Sequence, residues 1–303
     1  MFLFLCVVSF HVAAAEERIE TNHFVVEYDG IGRSYAEIVS AASERALSSI
    51  SATLGHEPAA KIRIILTADR ERFDRLTRHA LPDWSAAVAL SADTIVISPL
   101  EGQKIGVERI IAHEIAHCVI NDAAGNTYVP RWFHEGCAES VSGDLGIRGT
   151  AYMIVKVIKH ELMSFDDIEH VFSTGPQDAS LAYDQSLLAI NYLMKMNGHD
   201  VLAGILGRMK EGGDFETSFL KATGVTVMEF QKSYLAHIGS VYGWRAALVY
   251  IPGTWTIILV LAFVVYAVKK YRNRQKMKEW ELHDRPSNVI DFEPLPPDDY
   301  LDD

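Results

Sequence analysis

The fold of this chain is decided by the stretch His113-Glu114-Ile115-Ala116-His117 and by the later stretch His134-Glu135-Gly136-Cys137-Ala138-Glu139. The two histidines of the first stretch stand four positions apart, which on an α-helix separates them by about 40° and about 6 Å. Two imidazoles so placed can bind one metal ion from the same helix face, while Glu114 projects beside them and can activate water. Glu135 can then supply a carboxylate as third ligand. Two histidines and one glutamate around an open fourth position are typical of a catalytic zinc centre.

The residues around the first stretch favour a buried helix. Apolar residues continue at helical spacing on both sides of it, from Val107 to Ile120. Burying two histidines and a glutamate there is costly unless something satisfies their polar atoms. A metal ion would satisfy them; the alternative is a core helix whose histidines only hydrogen-bond to neighbouring groups.

The two stretches, together with Val129-Pro130-Arg131-Trp132-Phe133 before the second one, resemble the gluzincin metallopeptidases. The nearest form is the peptidase-MA-like domain, in which a proline and a tryptophan lead into a second helix bearing Glu-Gly-x-Ala. This resemblance implies that His113, His117 and Glu135 bind one Zn²⁺ ion and that Glu114 is the general base of the reaction. Seventeen residues separate His117 from Glu135, close to the spacing usual in the family.

The resemblance also implies roles for two residues outside the ligand set. Glu139 lies one helical turn beyond Glu135, where relatives place an acidic residue that hydrogen-bonds to a ligand histidine and fixes its tautomer. Tyr183 is similar to a tyrosine that stabilises the oxyanion, and packing between helices is the alternative for it. His134 points roughly 100° away from Glu135 on a helix, which favours a role other than metal ligation.

The organisation of the chain is suggested by two apolar runs. Residues 1–15 end in three alanines and are interpreted as a signal peptide. Residues 246–268 carry no charge and are about long enough to cross ~30 Å of hydrocarbon, which predicts one transmembrane helix; a buried core helix is the alternative. Six lysines and arginines follow within residues 269–278, so the positive-inside rule predicts a single-pass cell-membrane protein with a cytoplasmic C-terminus. The domain before the run would then be extracytoplasmic, either periplasmic or on the cell surface.

The segment after the second run, residues 269–303, is predicted to be a disordered cytoplasmic tail. Beyond its basic start it is rich in Pro, Asp and Glu and short of aliphatic residues, so it cannot bury enough surface to fold alone. It offers Pro294-Leu295-Pro296-Pro297 as a motif for a partner, with a solvated acidic tail as the alternative. The formal net charge of −12 comes partly from this tail. Outside residues 269–278 no basic patch is interleaved with aromatic residues, which argues against nucleic-acid binding.

The region between the two runs predicts one α+β domain of the zincin type over residues 16–240. Residues from about 20 to 105 alternate between strand and helix patterns and predict a mixed α/β-sheet lobe. Within this lobe a helix over residues 34–54 is predicted to end at Gly55, and residues 86–90 and 94–98 are predicted to form a hairpin. Thr226, with Glu229 three residues later, predicts the start of a later helix. Residues from about 106 to 240 follow helical spacing and predict a C-terminal helical lobe, with the metal helix at the seam. In gluzincins the edge strand of the sheet lies along the cleft, so the resemblance implies that residues 94–98 pair with an extended substrate; an ordinary sheet edge is the alternative.

The cysteines leave two alternatives open. Cys6 would leave with the signal peptide, and Cys118 and Cys137 each adjoin a metal-binding stretch. Outside the cytoplasm they could form a disulfide. Cys118 lies about 100° around its helix from His117, however, so two small buried thiols are the other interpretation.

The predictions combine into one functional hypothesis. The resemblance implies a membrane-anchored zinc metallopeptidase that hydrolyses peptide bonds of an extracytoplasmic peptide or protein. The sequence before His113 contains no Gly-x-Met-Glu-Asn-like run of the kind that aminopeptidases use, which favours an endopeptidase. Two alternatives stay open: a peptidase-like binding or scaffold module with a non-catalytic zinc, and a zinc hydrolase of a non-peptide amide or ester.

Overall fold

A computed structural model describes residues 17–78, 86–98, 106–143, 153–171, 176–250 and 252–283 of the chain. The chain divides into two compact units, Met1–Ala246 and Ala247–Asp303. The predicted signal peptide and the acidic part of the predicted tail from residue 284 lie outside the described residues.

The first unit begins with a five-stranded mixed sheet in the order β1-β2-β3-β5-β4. The three central strands run parallel, while β1 and β4 pair antiparallel at the two ends of the sheet. The parallel strands are rich in Ile and Val and are buried, as strands covered by helices require. The strands are β1 (Glu17–Glu20), β2 (Phe24–Asp29), β3 (Ile62–Thr67), β4 (Ala87–Ser91) and β5 (Thr94–Ile97).

Helices make up most of the remaining described chain. Two of them lie among the strands, eight follow the sheet, and residues 153–158 add a short helical segment. The labelled helices are α1 (Arg33–Leu54), α2 (Arg70–Leu76), α3 (Val107–Ala124), α4 (Arg131–Ser142), α5 (Phe165–Val171), α6 (Pro176–Asn197), α7 (Val201–Lys210), α8 (Phe215–Thr223), α9 (Val227–Tyr250) and α10 (Pro252–His283).

Local sequence signals explain where several helices begin and end. Helix α1 ends at Gly55, whose φ of 67° is a left-handed conformation that glycine adopts without steric cost. Helix α9 begins after a capping box in which the Thr226 hydroxyl accepts from the Glu229 backbone N–H and the Glu229 carboxylate accepts from the Thr226 N–H. Both ends agree with the sequence-based predictions.

The main hydrophobic core lies between the sheet and the helices on one of its faces. Alternate residues of β3 point to opposite sides, so Ile64 and Leu66 join this core while Ile65 packs on the other face with Phe73 of α2. Helix α3 lies inside the core and packs against α1, α4 and β4. This position fixes the histidine-bearing helix between the sheet and the helical part of the unit.

The sheet edge differs from the expected one. Residues 86–98 form the predicted antiparallel hairpin, with β4 and β5 joined at Ala92-Asp93. Strand β5, however, pairs with β3 on its other side, so it is an interior strand. The edge beside α3 is β4, and the expectation that residues 94–98 form the edge is wrong because the order of strands depends on a long-range parallel pairing.

The fold class needs correction in two respects. The described chain is mostly helical and carries one small mixed sheet, whereas an α+β fold with an N-terminal mixed α/β-sheet lobe and a C-terminal helical lobe was expected. Among the described residues, no helix combines the length and apolar character needed to cross a membrane, so the predicted transmembrane helix is wrong. The apolar run is divided between α9, which ends at Tyr250, and α10, which begins at Pro252.

The physical reason for this second correction is length. The part of the run on α10, from Pro252 to Val268, spans about 25 Å at 1.5 Å per residue, which is short of the ~30 Å hydrocarbon core. Lys269 and Lys270 follow directly on the same helix.

Candidate metal centre

Helix α3 presents both histidines of the first stretch toward one point. The Nε2 atoms of His113 and His117 lie 3.1 Å apart, and the two rings meet edge to face. Helix α4 brings Glu135 to the same point, with its Oε2 atom 3.6 Å from His113 Nε2 and 3.4 Å from His117 Nε2. Among the His, Cys, Asp and Glu side chains of the described chain, these three have ligand atoms that lie close enough together to hold a metal ion.

The geometry of these three atoms fits a zinc ion. Ligands bound tetrahedrally at about 2.0–2.2 Å from zinc lie about 3.3–3.6 Å from one another, and the observed separations of 3.1, 3.4 and 3.6 Å fall close to that range. The Glu135 Oε2 atom is buried and has no hydrogen-bond partner, although buried carboxylate oxygens normally have one. An orphaned carboxylate oxygen facing two imidazole nitrogens is the donor set that a divalent cation satisfies.

The electrostatics of the cluster also favour the binding of a cation. Burial alone would raise the pKa of Glu135, but the charge of His117 and the contacts with both imidazoles hold this pKa well below its ordinary value. Burial alone would lower the pKa of His113, but the contact with Glu135 and the charge of Glu114 raise it to about 9. The site therefore stabilises positive charge at the histidine nitrogens, and a metal ion competes with the proton for the same atoms.

Glu114 lies beside the histidines on α3 and is buried, with 7% of its surface exposed. A carboxylate at that depth is rare unless it has a partner or a function. Its charge contributes to the raised pKa values of both His113 and Tyr183. The predicted general base is thus buried on the helix that carries both histidines, and its charge acts on His113 and Tyr183.

Helix α4 reaches the cluster because Gly136 permits very close packing. A Cβ atom at this position would lie 2.4 Å from the Ser186 backbone oxygen and 2.6 Å from Ile190 Cγ1, so α4 and α6 touch through the glycine. Trp132, one turn earlier, is fully buried and stacks on Phe165. Close helix contact and a buried aromatic anchor together fix Glu135 relative to α3.

Glu139 connects the cluster to a cation. Its Oε1 atom lies 3.5 Å from His113 Nδ1, the nitrogen that faces away from the ligand cluster. Its Oε2 atom accepts a hydrogen bond from Arg109 Nη2 at 2.9 Å. The structure thus brings Glu139 to the ligand histidine, as the sequence predicts, and adds Arg109, which the sequence-based prediction did not include.

His134 belongs to the surroundings of the cluster. Its ring stacks on the ring of His117 at 4.5 Å between centroids, and its Nε2 atom lies 3.0 Å from the Asn121 side-chain oxygen. Burial, reinforced by the charge of His117, lowers the pKa of His134 to about 3, so the ring is neutral at pH 7. A neutral ring stacked on a ligand ring restricts its rotation, and His134 does not join the converging atoms.

Tyr183 and Asp184 approach the cluster from α6. The Tyr183 ring centroid lies 6.2 Å from that of His113, and burial together with the charge of Glu135 raises the pKa of the Tyr183 hydroxyl. The hydroxyl therefore stays protonated and can donate a hydrogen bond. Burial and the charge of Glu139 raise the pKa of Asp184 to about 6, while the charge of Arg109 opposes this change.

The two cysteines beside the metal stretches are free and buried. Cys118 Sγ donates to the Ser91 backbone oxygen at 3.5 Å, which ties α3 to the edge strand β4. Burial raises the pKa of both thiols, so they behave as small apolar groups. Of the two interpretations that the sequence left open, buried thiols match the structure.

Two signals could have added residues to the predicted site. Arg109 lies four positions before His113, and Glu139 lies four positions after Glu135. Each therefore lies one turn from a ligand on the same helix face. Asn121 follows His117 by four in the same way. The contacts themselves join α3 to α4, and only the packing of the two helices reveals them.

Comparison with known proteins identifies the class. A family model described as the Peptidase MA superfamily matches residues 42–240, which is more than half of the chain. The chain therefore belongs to the Peptidase MA superfamily, and the predicted resemblance to gluzincin-like peptidase-MA domains is confirmed.

The individual proteins to which the chain is similar share 25% or less of its sequence. The uncharacterized protein YhcO of Bacillus subtilis (strain 168) is 25% identical over 148 residues, which cover 45% of this chain and 43% of that protein. Two solved structures of the M1 zinc metallopeptidase from Deinococcus radiodurans, one of a mutant form, are 14% and 15% identical, with TM-scores of 0.42 and 0.37. They cover 70% and 72% of this chain, which spans 48% and 47% of their lengths. The chain thus spans less than half the length of each of these proteins.

Proposed function

We propose that this protein is a zinc-dependent metallopeptidase that hydrolyses peptide bonds. The observation that carries the proposal is the convergence of His113 Nε2, His117 Nε2 and Glu135 Oε2 within 3.6 Å of one another, with the Glu135 oxygen left unpaired. Membership of the Peptidase MA superfamily supports the same function. One zinc ion fits this donor set, because three protein ligands leave a fourth position open.

A zinc ion held there would supply Lewis acidity, which makes water nucleophilic near neutral pH and polarises the carbonyl group under attack. Glu114 accepts the proton of the attacking water and later delivers it to the leaving amine. Its buried position beside the ligand histidines suits this role, since a carboxylate shielded from bulk water interacts strongly with nearby charge.

Tyr183 is proposed to donate a hydrogen bond to the oxyanion that forms during the reaction. Its ring lies 6.2 Å from that of His113, and its raised pKa keeps the proton on the hydroxyl throughout the neutral range. A protonated donor placed beside the metal ligands can stabilise the developing negative charge. Tyr183→Phe is then expected to lower kcat about 10²-fold or more and to leave zinc affinity unchanged.

An extended peptide is proposed to bind along β4. This strand pairs with β5 on one side, packs beside α3 on the metal-bearing side of the sheet and is half-buried to exposed along its length. Among the described strands, none pairs with the other side of β4, and such a sheet edge can add a peptide through backbone hydrogen bonds. Binding along a strand edge accommodates chains that continue in both directions, which favours endopeptidase action.

The place of action is a further proposal. The apolar residues 1–15, which end in small residues, favour export of the protein to the extracytoplasmic side. N-terminal sequencing of the mature protein is expected to begin near Glu16. Mature protein that still begins at Met1 would contradict export by a cleaved signal peptide.

The experiment that tests the proposed activity compares two conservative variants on α3. Glu114→Gln removes the base and keeps the shape of the side chain, whereas Glu108→Gln changes an exposed glutamate that pairs with Arg45 at the surface. Zinc content is measured by elemental analysis, and turnover is measured by mass spectrometry with peptides blocked at both ends. Glu114→Gln should keep one zinc per chain and lose roughly 10²–10⁴-fold in turnover, while Glu108→Gln behaves as wild type.

The outcomes separate the alternatives. Turnover by Glu114→Gln at the wild-type rate would refute the assigned base. A wild-type protein that binds zinc and cleaves no blocked or free peptide would favour a binding module or a hydrolase of other amides and esters. Cleavage of free peptides only would favour an exopeptidase.

A further inference from the structure

A chain of contacts leads from the ligand histidine to the protein surface. His113 Nδ1 lies 3.5 Å from Glu139 Oε1, and the other carboxylate oxygen of Glu139 accepts from Arg109 Nη2 at 2.9 Å. Arg109 and His113 stand one turn apart on α3, while Glu139 stands on α4. The three residues thus form a closed connection between the two helices that carry the metal ligands.

The end of α4 is shaped to accept the Arg109 side chain. A Cβ atom on Gly143 would lie 2.9 Å from Arg109 Nε and 3.1 Å from Arg109 Cζ, so the guanidinium group lies directly over the glycine. The φ of Gly143 is 172°, an extended conformation that any residue can adopt. The backbone therefore does not require glycine here, and the space that it leaves is filled by Arg109.

Glu139 needs a cation to hold its position. It is largely buried, with 16% of its side chain exposed; its charge acts on Asp184, and both it and Glu135 act on His113. Repulsion among these groups would turn Glu139 away from His113. The hydrogen bond from Arg109 Nη2 opposes that movement, because it holds one oxygen of Glu139 and leaves the other directed toward His113 Nδ1.

We infer that Arg109 is a positioning residue of the metal centre, which acts through Glu139 to hold the His113 ring with Nε2 facing the metal. The inference rests on the proposed zinc site of His113, His117 and Glu135. Outer partners of ligand histidines fix the ring and its tautomer, and their loss typically lowers metal affinity 10–100-fold. Arg109 acts one contact further out, so a loss of about 10-fold is expected.

The direction in which zinc affinity changes when Arg109 is replaced distinguishes a positioning role from a simple effect of its charge. Removing a cation near a metal site reduces repulsion toward the incoming metal ion and should tighten binding. Loss of a positioning residue weakens binding instead, because His113 and Glu139 become free to rotate. Arg109→Gln distinguishes the two, and Arg109→Lys keeps the charge while losing the fork of donors.

The test uses full-length protein freed of metal, titrated with Zn²⁺ against a competing chromophoric chelator. Arg109→Gln should weaken zinc affinity about 10-fold, and Arg109→Lys should recover part of the loss. Gly143→Ala, which pushes the guanidinium group aside and keeps the arginine, should also weaken it. The matched control is Arg45→Gln on α1, which breaks the exposed pair that Arg45 forms with Glu108, the residue before Arg109 on α3, and should leave zinc affinity unchanged.

A second readout excludes loss of folding as the cause. The melting temperature of each metal-free variant should stay near that of wild type, because the side chain of Arg109 is 47% exposed and an ion pair open to water contributes little to stability. The visible spectrum of the Co²⁺-loaded protein should change in Arg109→Gln and Gly143→Ala, and it should not change in Arg45→Gln. Equal or tighter zinc binding by Arg109→Gln, with tight binding by wild type, overturns this inference and leaves the proposed function intact. A wild-type protein without zinc affinity overturns both.

Discussion

Histidines meet glutamates at two places in the described chain, in the α3–α4 cluster of His113, His117 and Glu135 and at the start of β2, where His23 meets Glu44 and Glu57. At the start of β2, His23 Nδ1 lies 2.7 Å from Glu44 and Nε2 lies 3.1 Å from Glu57, so each ring nitrogen has its own carboxylate. In the α3–α4 cluster the two Nε2 atoms face each other, and one carboxylate oxygen has no hydrogen bond.

Exposure reinforces the contrast. Side-chain exposure is 39% for His23 and 62% for Glu57, compared with 17% for His113 and 12% for Glu135. Water can solvate the β2 pair, whereas the α3–α4 cluster must find a partner inside the protein. The comparison teaches that residue types alone do not define a metal site; the decisive features are convergent lone pairs and an unsatisfied buried atom.

Removal of the metal is expected to have the largest effect on stability. A zinc ion that binds only the folded state stabilises it by about 4 kcal/mol when free zinc is 1,000 times the dissociation constant. Adding a strong chelator should therefore lower the melting temperature of the wild type by several degrees, which differential scanning calorimetry would measure. The same shift in a His117→Ala variant would show that the stabilising ion binds elsewhere.

Single histidine substitutions test which cluster binds the ion. His117→Ala removes a ligand and should weaken zinc affinity by more than the roughly 100-fold seen for loss of an outer partner. His23→Ala, the matched change at the β2 pair, should leave zinc affinity within about twofold of wild type. Competition titration with a chelator gives both values, and a comparable loss in the two variants would remove the distinction between the clusters.

The α3–α4 cluster also depends on close helix packing, which two glycines can test. Gly136→Ala places a Cβ atom 2.4 Å from the Ser186 backbone oxygen and should lower the free energy of unfolding by about 1–3 kcal/mol, together with zinc affinity. Gly207→Ala, within α7, meets no atom within 4 Å and should raise stability by up to about 1 kcal/mol through helix propensity. Urea denaturation measures both, and equal effects would contradict the close contact of α4 with α6.

The smallest expected effect is the pH dependence of the stability that the His23–Glu44 contact at the start of β2 contributes. The hydrogen bond to Glu44 raises the pKa of His23 above its ordinary value of 6.5. A raised pKa in the folded state means that the pair stabilises the fold fully below about pH 6.5 and that this contribution is lost as pH rises through the folded-state pKa. Because His23 is exposed, the contribution should stay below about 1 kcal/mol.

His23→Gln measures this contribution directly. The loss of stability of wild type between pH 6 and pH 8.5 should exceed that of His23→Gln by this small amount in urea denaturation. Identical pH profiles for the two proteins would mean that the His23–Glu44 contact does not form in solution.

The sequence predicted the parts of the site that depend on local spacing. His113 and His117 lie within one turn of a helix, so their convergence follows from helix geometry. Glu135 and Glu139 came from the resemblance to a family motif rather than from the spacing alone. A spacing of four from His113 and His117 points to Arg109 and Asn121, but the contacts of these residues and of Gly136 follow only from the packing of α4 against α3 and α6, because they join different elements.

The fold shows the same division between local and long-range information. The hairpin of β4 and β5 was predicted from two short apolar stretches around Ala92-Asp93. The order of strands was not, because the pairing of β5 with β3 joins segments about thirty residues apart. The apolar run of residues 246–268 was misinterpreted for a related reason: hydropathy alone does not show that one helix ends at Tyr250 and another begins at Pro252.

X-ray absorption spectroscopy of the zinc-loaded protein reports the metal ligands themselves. We expect one zinc per chain with nitrogen and oxygen neighbours at about 2.0–2.2 Å and the scattering pattern of two imidazole rings. The pattern should lose one ring in His117→Ala and stay unchanged in His23→Ala. A sulfur neighbour at about 2.3 Å, which would implicate Cys118 or Cys137, or a site without imidazole, would contradict a zinc site of His113, His117 and Glu135.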